Sequence, residues 1–365
     1  MLETIAAKVQ SGERLSPEEG LYLFRPEVDL HSVGRLANFV RQKRHGRVAW
    51  YNINVHLNPT NVCGYRCPLC AYRRDPGGDG AYVMTRDEIL QRGMEAEAVG
   101  ATEVHIVSGM YPAMGYDWYL NIIRWMHEAF PRLHLKAWTA AEIAWFSQIA
   151  GRPIRAILHE MIEAGVGSMP GGGAEIFAPE VRRRIAPGKL DGQTWLEVHR
   201  TAHELGLRTN ATMLYGHVET PAHRIDHMVR LRELQDQTGG FQAFIPLAFH
   251  PQGTRLNGVR RTSALDDLRT VAVARLMLDN FDHIKAYWIS LGVGTAQVAL
   301  AYGADDFDGT VRHESIHHEA GATSPDSLSV EELRHLIAEA GFEPVERDTL
   351  YRRVRRNGNL WHAEA

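Results

Sequence analysis

All three cysteines of the 365-residue chain, Cys63, Cys67 and Cys70, fall in one stretch, NPTNVCGYRCPLCAYR. Their spacing lets one short loop deliver three thiolates to a single metal centre, with Gly64 and Pro68 turning the backbone around it. A cubic iron-sulfur cluster ordinarily takes one thiolate per iron. With no fourth cysteine, a 4Fe-4S cluster held here keeps one iron free for a ligand from outside the protein. The competing reading is a zinc site completed by one of the nineteen histidines. Structural zinc sites usually bring two separated ligand pairs that staple a small domain, which this chain has no need of. An odd number of crowded thiols also speaks against a disulfide and for a reducing compartment.

Further candidates stand where strands are expected to end. Ser108 and Gly109 open the segment SGMYP, where glycine lets backbone approach a ligand. Gly171, Gly172 and Gly173 precede Glu175. No Gly-Lys-Ser/Thr follows to make a phosphate loop, so this segment suits a nucleoside, with Glu175 accepting from ribose hydroxyls. Tyr215 and His217 lie in the polar stretch NATMLYGHVE, and His250 ends PLAFHP. Lys136 is costly inside a barrel unless it faces an anion. Arg73 and Arg255 are further candidates for binding carboxylates.

These residues need a scaffold that gathers strand ends. From residue 51 short apolar runs alternate with amphipathic helical stretches, the pattern of a parallel sheet with crossover helices. Strands are expected at Tyr51–Leu57, Glu103–Ser108, Leu133–Trp138, Val166–Met169, Arg208–Leu214, Phe241–Phe249, Ile284–Ser290 and Val298–Tyr302. Eight units over about 250 residues match the size of a (β/α) barrel, whose chemistry sits in loops at the C-terminal strand ends; a six-stranded open barrel is the alternative. Residues 1–50 read as a helical extension, 51–305 as the barrel and 306–365 as a C-terminal extension packed on it. Helix starts are marked by Ser16-Pro17-Glu18-Glu19 and by Thr85 with Glu88. A formal net charge of −4 argues against general nucleic-acid binding. No apolar run approaches the roughly 18 to 20 residues of a membrane span, and the N-terminus lacks a signal-peptide pattern, so a cytoplasmic protein is expected.

The triplet followed by Tyr72, two residues after Cys70, resembles the signature of the radical S-adenosylmethionine (SAM) enzymes. The resemblance implies a 4Fe-4S cluster whose open iron is chelated by SAM, with Tyr72 near the adenine. KAWTAAEI, SMPGGGAEIF, HRTAHELGLRTNATMLYGHVET, LRELQDQTGGFQAFIPLAFHP, IHHEAGA and VERDTLY extend it over residues 15–355 to the aminofutalosine synthase family of menaquinone biosynthesis. Dehypoxanthine futalosine cyclase and the deazaflavin (F0) synthase subunit share the cysteine spacing and much of the glycine-rich loop. The finer assignment rests on Leu214-Tyr215-Gly216-His217 and Leu247-Ala248-Phe249-His250.

By that resemblance, a 5′-deoxyadenosyl radical adds to the vinyl group of 3-[(1-carboxyvinyl)oxy]benzoate, with rearrangement and decarboxylation to aminofutalosine. SAM is then consumed as a substrate, and an electron donor such as flavodoxin or ferredoxin is required. Tyr215, His217 and His250 would orient the carboxylated aryl vinyl ether. Tyr72, Ser108, Gly109, Gly171, Gly172, Gly173 and Glu175 would hold SAM. A zinc-binding module that recognises RNA or protein is the non-enzymatic alternative.

Overall fold

The computed structural model describes residues 1–364. Three N-terminal helices, α1 (Leu2–Ser11), α2 (Pro17–Leu23) and α3 (Leu30–His45), precede the sheet. The expected capping boxes are present: Ser16 Oγ accepts from the Glu19 amide while Glu19 accepts from the Ser16 amide, and Thr85 and Glu88 repeat the exchange. Each satisfies two amides that the first turn of a helix leaves without partners.

The expected first strand is two strands, β1 (Val48–Asn52) and β2 (Asn54–Leu57), separated at Ile53. There follow β3 (Glu103–Ile106), β4 (His134–Lys136), β5 (Val166–Met169), β6 (Arg208–Tyr215), β7 (Phe241–Ala248) and the two-residue β8 (His283–Ile284). Strands β2 to β8 form one parallel seven-stranded sheet in chain order, with helices between successive strands. This is the α/β barrel architecture expected from the alternation.

Two expectations near the end of the barrel need correction. Residues 298–302 are not a strand; Val293–Ala299 is helical and Leu300–Tyr302 is a 3-10 turn. A short apolar run of this kind fits a strand or a buried helix face equally. Residues 284–290 likewise hold only the end of β8, then a helical turn from Trp288 to Leu291. The closing strand is β9 (Asp306–Gly309), which pairs in parallel with β1. Parallel bridges Lys285↔Asp306 and Val55↔Arg312 carry this segment across the gap between β8 and β2. On the far side of β1 lies β10 (Glu343–Glu346). Residues 351–356, the basic run YRRVRR, enter a terminal hairpin, β11 (Val354–Asn357) with β12 (Leu360–Ala363). There Arg356 reaches Glu346 and the Gly100 carbonyl.

Candidate active site

Side chains alternate across a strand, so every second residue of a barrel strand points inward. The inward set here is Asn54 and His56 on β2, Glu103 and His105 on β3, Lys136 on β4, Asn210, Thr212 and Leu214 on β6, and Ile245 and Leu247 on β7. These residues line one cavity of about 330 Å³, which opens among the loops at the C-terminal strand ends.

The three cysteines line the mouth of this cavity as free thiols, Cys67 buried and the other two half-buried. Burial pushes the Cys67 thiol up to about 11 against the pull of Lys189, and burial also raises Cys70. Such thiols become good ligands only when a cation takes the proton's place. The loop is laced to its neighbours through backbone: Gly64 N–H donates to Met110 O and Gly109 N–H to Thr60 O, both at 2.8 Å. Leu69 N–H donates to Ile185 O at 3.2 Å, and Arg255 N–H to Pro68 O at 2.8 Å.

The glycines have a packing reason that the sequence did not show. A Cβ on Gly109 would stand 2.2 Å from the Val62 carbonyl oxygen, and one on Gly171 would stand 2.7 Å from that of Asn210. On Gly172 and Gly173 it would meet Thr139 and Ala141 at 2.8 and 2.9 Å. Close approach here is of backbone to backbone and loop to helix start, which brings Ser108–Gly109 and residues 171–173 to the cavity wall. Glu175, with φ of 46°, lines the cavity and pairs with Lys189 at 2.8 Å. Opposite burial, Lys189 holds the Glu175 carboxyl below its ordinary range. Tyr72 is buried and lines the cavity, its hydroxyl against that of Tyr82.

Three of the expected site residues face elsewhere. Leu214 points inward, so its neighbour Tyr215 points outward, where its fully buried hydroxyl donates to Asp267 at 2.8 Å under the Arg224 guanidinium. After it Gly216, at φ of 86°, turns the chain away. The His217 ring is enclosed, donating through Nε2 to Leu214 O at 3.0 Å, with its Nδ1 3.0 Å from the Glu219 carboxylate. Neither lines the cavity. Arg255 is exposed and donates to Arg66 O on the outer side of the cysteine loop. His250 does line the cavity, its Nε2 donating to Ser290 O at 2.9 Å. Arg73 lines it too but is paired with Asp75 at 2.5 Å.

Lys136 does face an anion: Glu103 Oε2 is 2.6 Å from its Nζ, and both side chains are almost fully enclosed. Burial pushes Glu103 up, but Lys136, Lys285 and Arg347 outweigh it and hold the carboxyl well below its ordinary range. Burial brings Lys136 down to about 8 against the pull of Glu103. Lys285 pairs with Asp308 at 3.2 Å. Beside them Glu314 accepts from His317 and His318 at 3.2 and 3.1 Å. Sequence reasoning missed Glu103, Lys285, Asp308 and Glu314, as well as Glu142, which accepts from the Ser108 amide at 2.7 Å. The available signal was the polar i, i+2 pairs Asn54/His56 and Glu103/His105 inside otherwise apolar strands.

The residues fit a cluster and SAM. Three free thiols with no fourth cysteine match a cube with one open iron. A buried Ser108 hydroxyl without a protein partner, together with Glu142 and Glu175, offers polar contacts to an amino acid and a ribose beside them.

A family model described as the Radical SAM superfamily matches residues 57–231, and one described as the CofH/MqnC C-terminal region matches 238–358. The chain is 50% identical to an aminodeoxyfutalosine synthase of Thermus thermophilus, over 96% of this chain and 95% of that protein. It is 41% identical to a 5-amino-6-(D-ribitylamino)uracil–L-tyrosine 4-hydroxyphenyl transferase of Methanopyrus kandleri, over 96% and 95%. In fold it is similar to methylornithine synthase, with a TM-score of 0.74 at 18% identity, covering 93% of this chain and 97% of that one.

Proposed function

Since the chain belongs to the aminodeoxyfutalosine synthase family of the radical SAM superfamily, we propose that it converts 3-[(1-carboxyvinyl)oxy]benzoate and SAM to 6-amino-6-deoxyfutalosine in menaquinone biosynthesis. It is a radical SAM enzyme, and its cofactors are a 4Fe-4S cluster and SAM. Bound together, these supply a 5′-deoxyadenosyl radical for addition to the vinyl carbon of the substrate. A small one-electron carrier such as a flavodoxin or ferredoxin delivers the electron.

The chain's own part is to hold, orient and exclude water. Cys63, Cys67 and Cys70 hold the cluster. Tyr72, Ser108, Gly109, residues 171–173 and Glu175 bound the space for SAM. The apolar wall of Leu214, Ile245 and Leu247 gives the aryl ring a surface. No helix is long and apolar enough to cross a membrane among the described residues, and the substrate is a small molecule.

The observation that carries this reading is one cavity lined at its mouth by all three cysteines and the glycine-rich loop, and below by polar strand residues facing an apolar wall. The test follows the adenosyl carbon skeleton. Reduced enzyme given SAM labelled in its adenosine and the vinyl ether is expected to move the label into a larger nucleoside that keeps adenine and lacks one carboxyl carbon. Label found mainly as free 5′-deoxyadenosine, with dehypoxanthine futalosine consumed in a parallel incubation, would make the chain a cyclase. Transfer of an aryl group from tyrosine to 5-amino-6-(D-ribitylamino)uracil, with no adenosyl label in the product, would make it a transferase like its Methanopyrus relative.

A further inference from the structure

His56 and His105 stand side by side on β2 and β3 in direct register. Parallel neighbours in register lie about 4.8 Å apart and point the same way. The two rings stack with centroids 4.7 Å apart and planes within 5°. Both line the cavity, and His56 is only 9% exposed. Other buried histidines are tied through a ring nitrogen: His199 to Thr209, His227 to Thr212 O, His250 to Ser290 O. Among the described residues, neither His56 nor His105 has a hydrogen-bond partner for its ring. His105 is half-buried, and ring nitrogens that face a cavity with no protein partner are available to a ligand.

The surroundings say what kind of ligand. Every lysine or arginine that lines the cavity already has a carboxylate: Lys136 has Glu103, Lys285 has Asp308, Lys189 has Glu175 and Arg73 has Asp75. A dianionic substrate finds no free cation there and must be held by neutral N–H donors, beside Lys136 and Lys285 and among the carboxylates of Glu103, Asp308 and Glu314, which are already paired or bonded to histidine. Each imidazole offers one N–H in its neutral form. We propose that the stacked pair His56–His105 binds the ring carboxylate of the aryl vinyl ether at the floor of the barrel. This rests on the synthase reading, because that reading supplies the ligand. The vinyl carbon must lie at the mouth beside the adenosyl group, and the ring carboxylate is the substrate's other end. It therefore reaches the strand interior, with the aryl ring against Leu214, Ile245 and Leu247.

The test is binding, which needs no turnover. Cluster-loaded, SAM-bound protein is titrated by calorimetry with 3-(1-carboxyethoxy)benzoate, which has both carboxylates but no vinyl group, and with 2-phenoxypropanoate, which lacks the ring carboxylate. Wild type is expected to prefer the diacid by about tenfold or more, the size of one hydrogen bond to a charged group. His56→Phe and His105→Phe keep a flat stacked ring and remove the nitrogens, and each is expected to abolish most of that preference while iron content and the spectral response to SAM stay as in wild type. An unchanged preference, or equal weakening of both ligands, overturns the proposal. Should the variants not fold, wild-type protein labelled with 15N-histidine and carrying the oxidised cluster decides. Two ring signals must move with the diacid and stay still with 2-phenoxypropanoate; if they do not, the pair is not the site. Failure of the label-transfer experiment with an intact, pair-dependent preference would sink the synthase chemistry alone, and turnover with no dependence on the pair would sink this proposal alone.

Discussion

The mouth and the floor of one cavity are built in opposite ways. The mouth is made of contiguous loop segments, Cys63–Cys70, Ser108–Met110 and Gly171–Gly173, held against each other by backbone hydrogen bonds and by glycines that leave no room for a Cβ. The floor has no segment of its own. Asn54, His56, Glu103, His105, Lys136, Lys285 and Asp308 each come from the inner face of a strand or its end, and buried ion pairs connect them. The difference separates two tasks. Loops fix the cofactor, where several ligands must come from one flexible stretch, and the rigid barrel fixes the substrate, where single side chains must keep their positions.

If the mouth serves the cofactor and leaves the fold alone, its removal should cost all activity and little stability. Cys63→Ala, Cys67→Ala or Cys70→Ala is expected to leave colourless protein with no detectable turnover. Its unfolding temperature should equal that of metal-free wild type. About four irons per chain are expected in anaerobically prepared wild type. Stoichiometric zinc in active protein, or a variant that keeps turnover, would break the assignment of the mouth to an iron-sulfur cluster.

The floor should show the reverse balance. Lys136→Met strands the Glu103 carboxylate in a nearly enclosed site, and breaking a buried pair in this way typically costs about 3–5 kcal/mol. Denaturant unfolding is expected to show a loss of that order, while Glu103→Gln combined with Lys136→Met recovers most of it. Iron content should be normal at temperatures where the single variant is folded. A neutral single substitution would mean that Lys285 and Arg347 already compensate Glu103, and the floor would then be one delocalised charge network instead of separate pairs.

The same contrast decides what was legible in the sequence. The cysteine triplet, Tyr72 and the glycine loop are local patterns, and all of them line the cavity. Tyr215 and His217 also stood next to a strand end, but a strand's period of two sends Leu214 inward and Tyr215 outward, and a one-residue difference cannot be read without the register. Lys136 was recognisable as a charge in a strand, yet its partner Glu103 lies one strand away and thirty-three positions earlier in the chain. The closing strand escaped for a related reason. Asp306–Gly309 is acidic and glycine-ended and so looks like a loop, while the apolar Val298–Tyr302 looks like a strand. Tertiary context, through Arg347 on Asp306 at 2.7 Å and Lys285 on Asp308, reverses both readings.

Glu142 lies where mouth and floor meet and gives the smallest and sharpest test. It occupies the third position of the helix Ala140–Ala150, accepts from Thr139 N–H at 2.7 Å, and uses its other oxygen to accept from the Ser108 amide. Burial pushes its carboxyl up from 4.5 to about 7, with the Thr139 and Ser108 donors opposing. A raised folded-state value means that this group's contribution to stability is present below about pH 4.5 and lost as pH rises through about 7. SAM affinity should run the other way, since only the ionised carboxylate attracts the sulfonium and ammonium charges of SAM. Between pH 6 and 8, wild-type affinity is expected to rise about threefold to tenfold more than that of Glu142→Gln. Comparison with the glutamine variant removes the titration of SAM's own amine, which both proteins share. Equal slopes in the two proteins would place Glu142 with the floor, as a residue that holds Ser108 in position without facing the cofactor's charge.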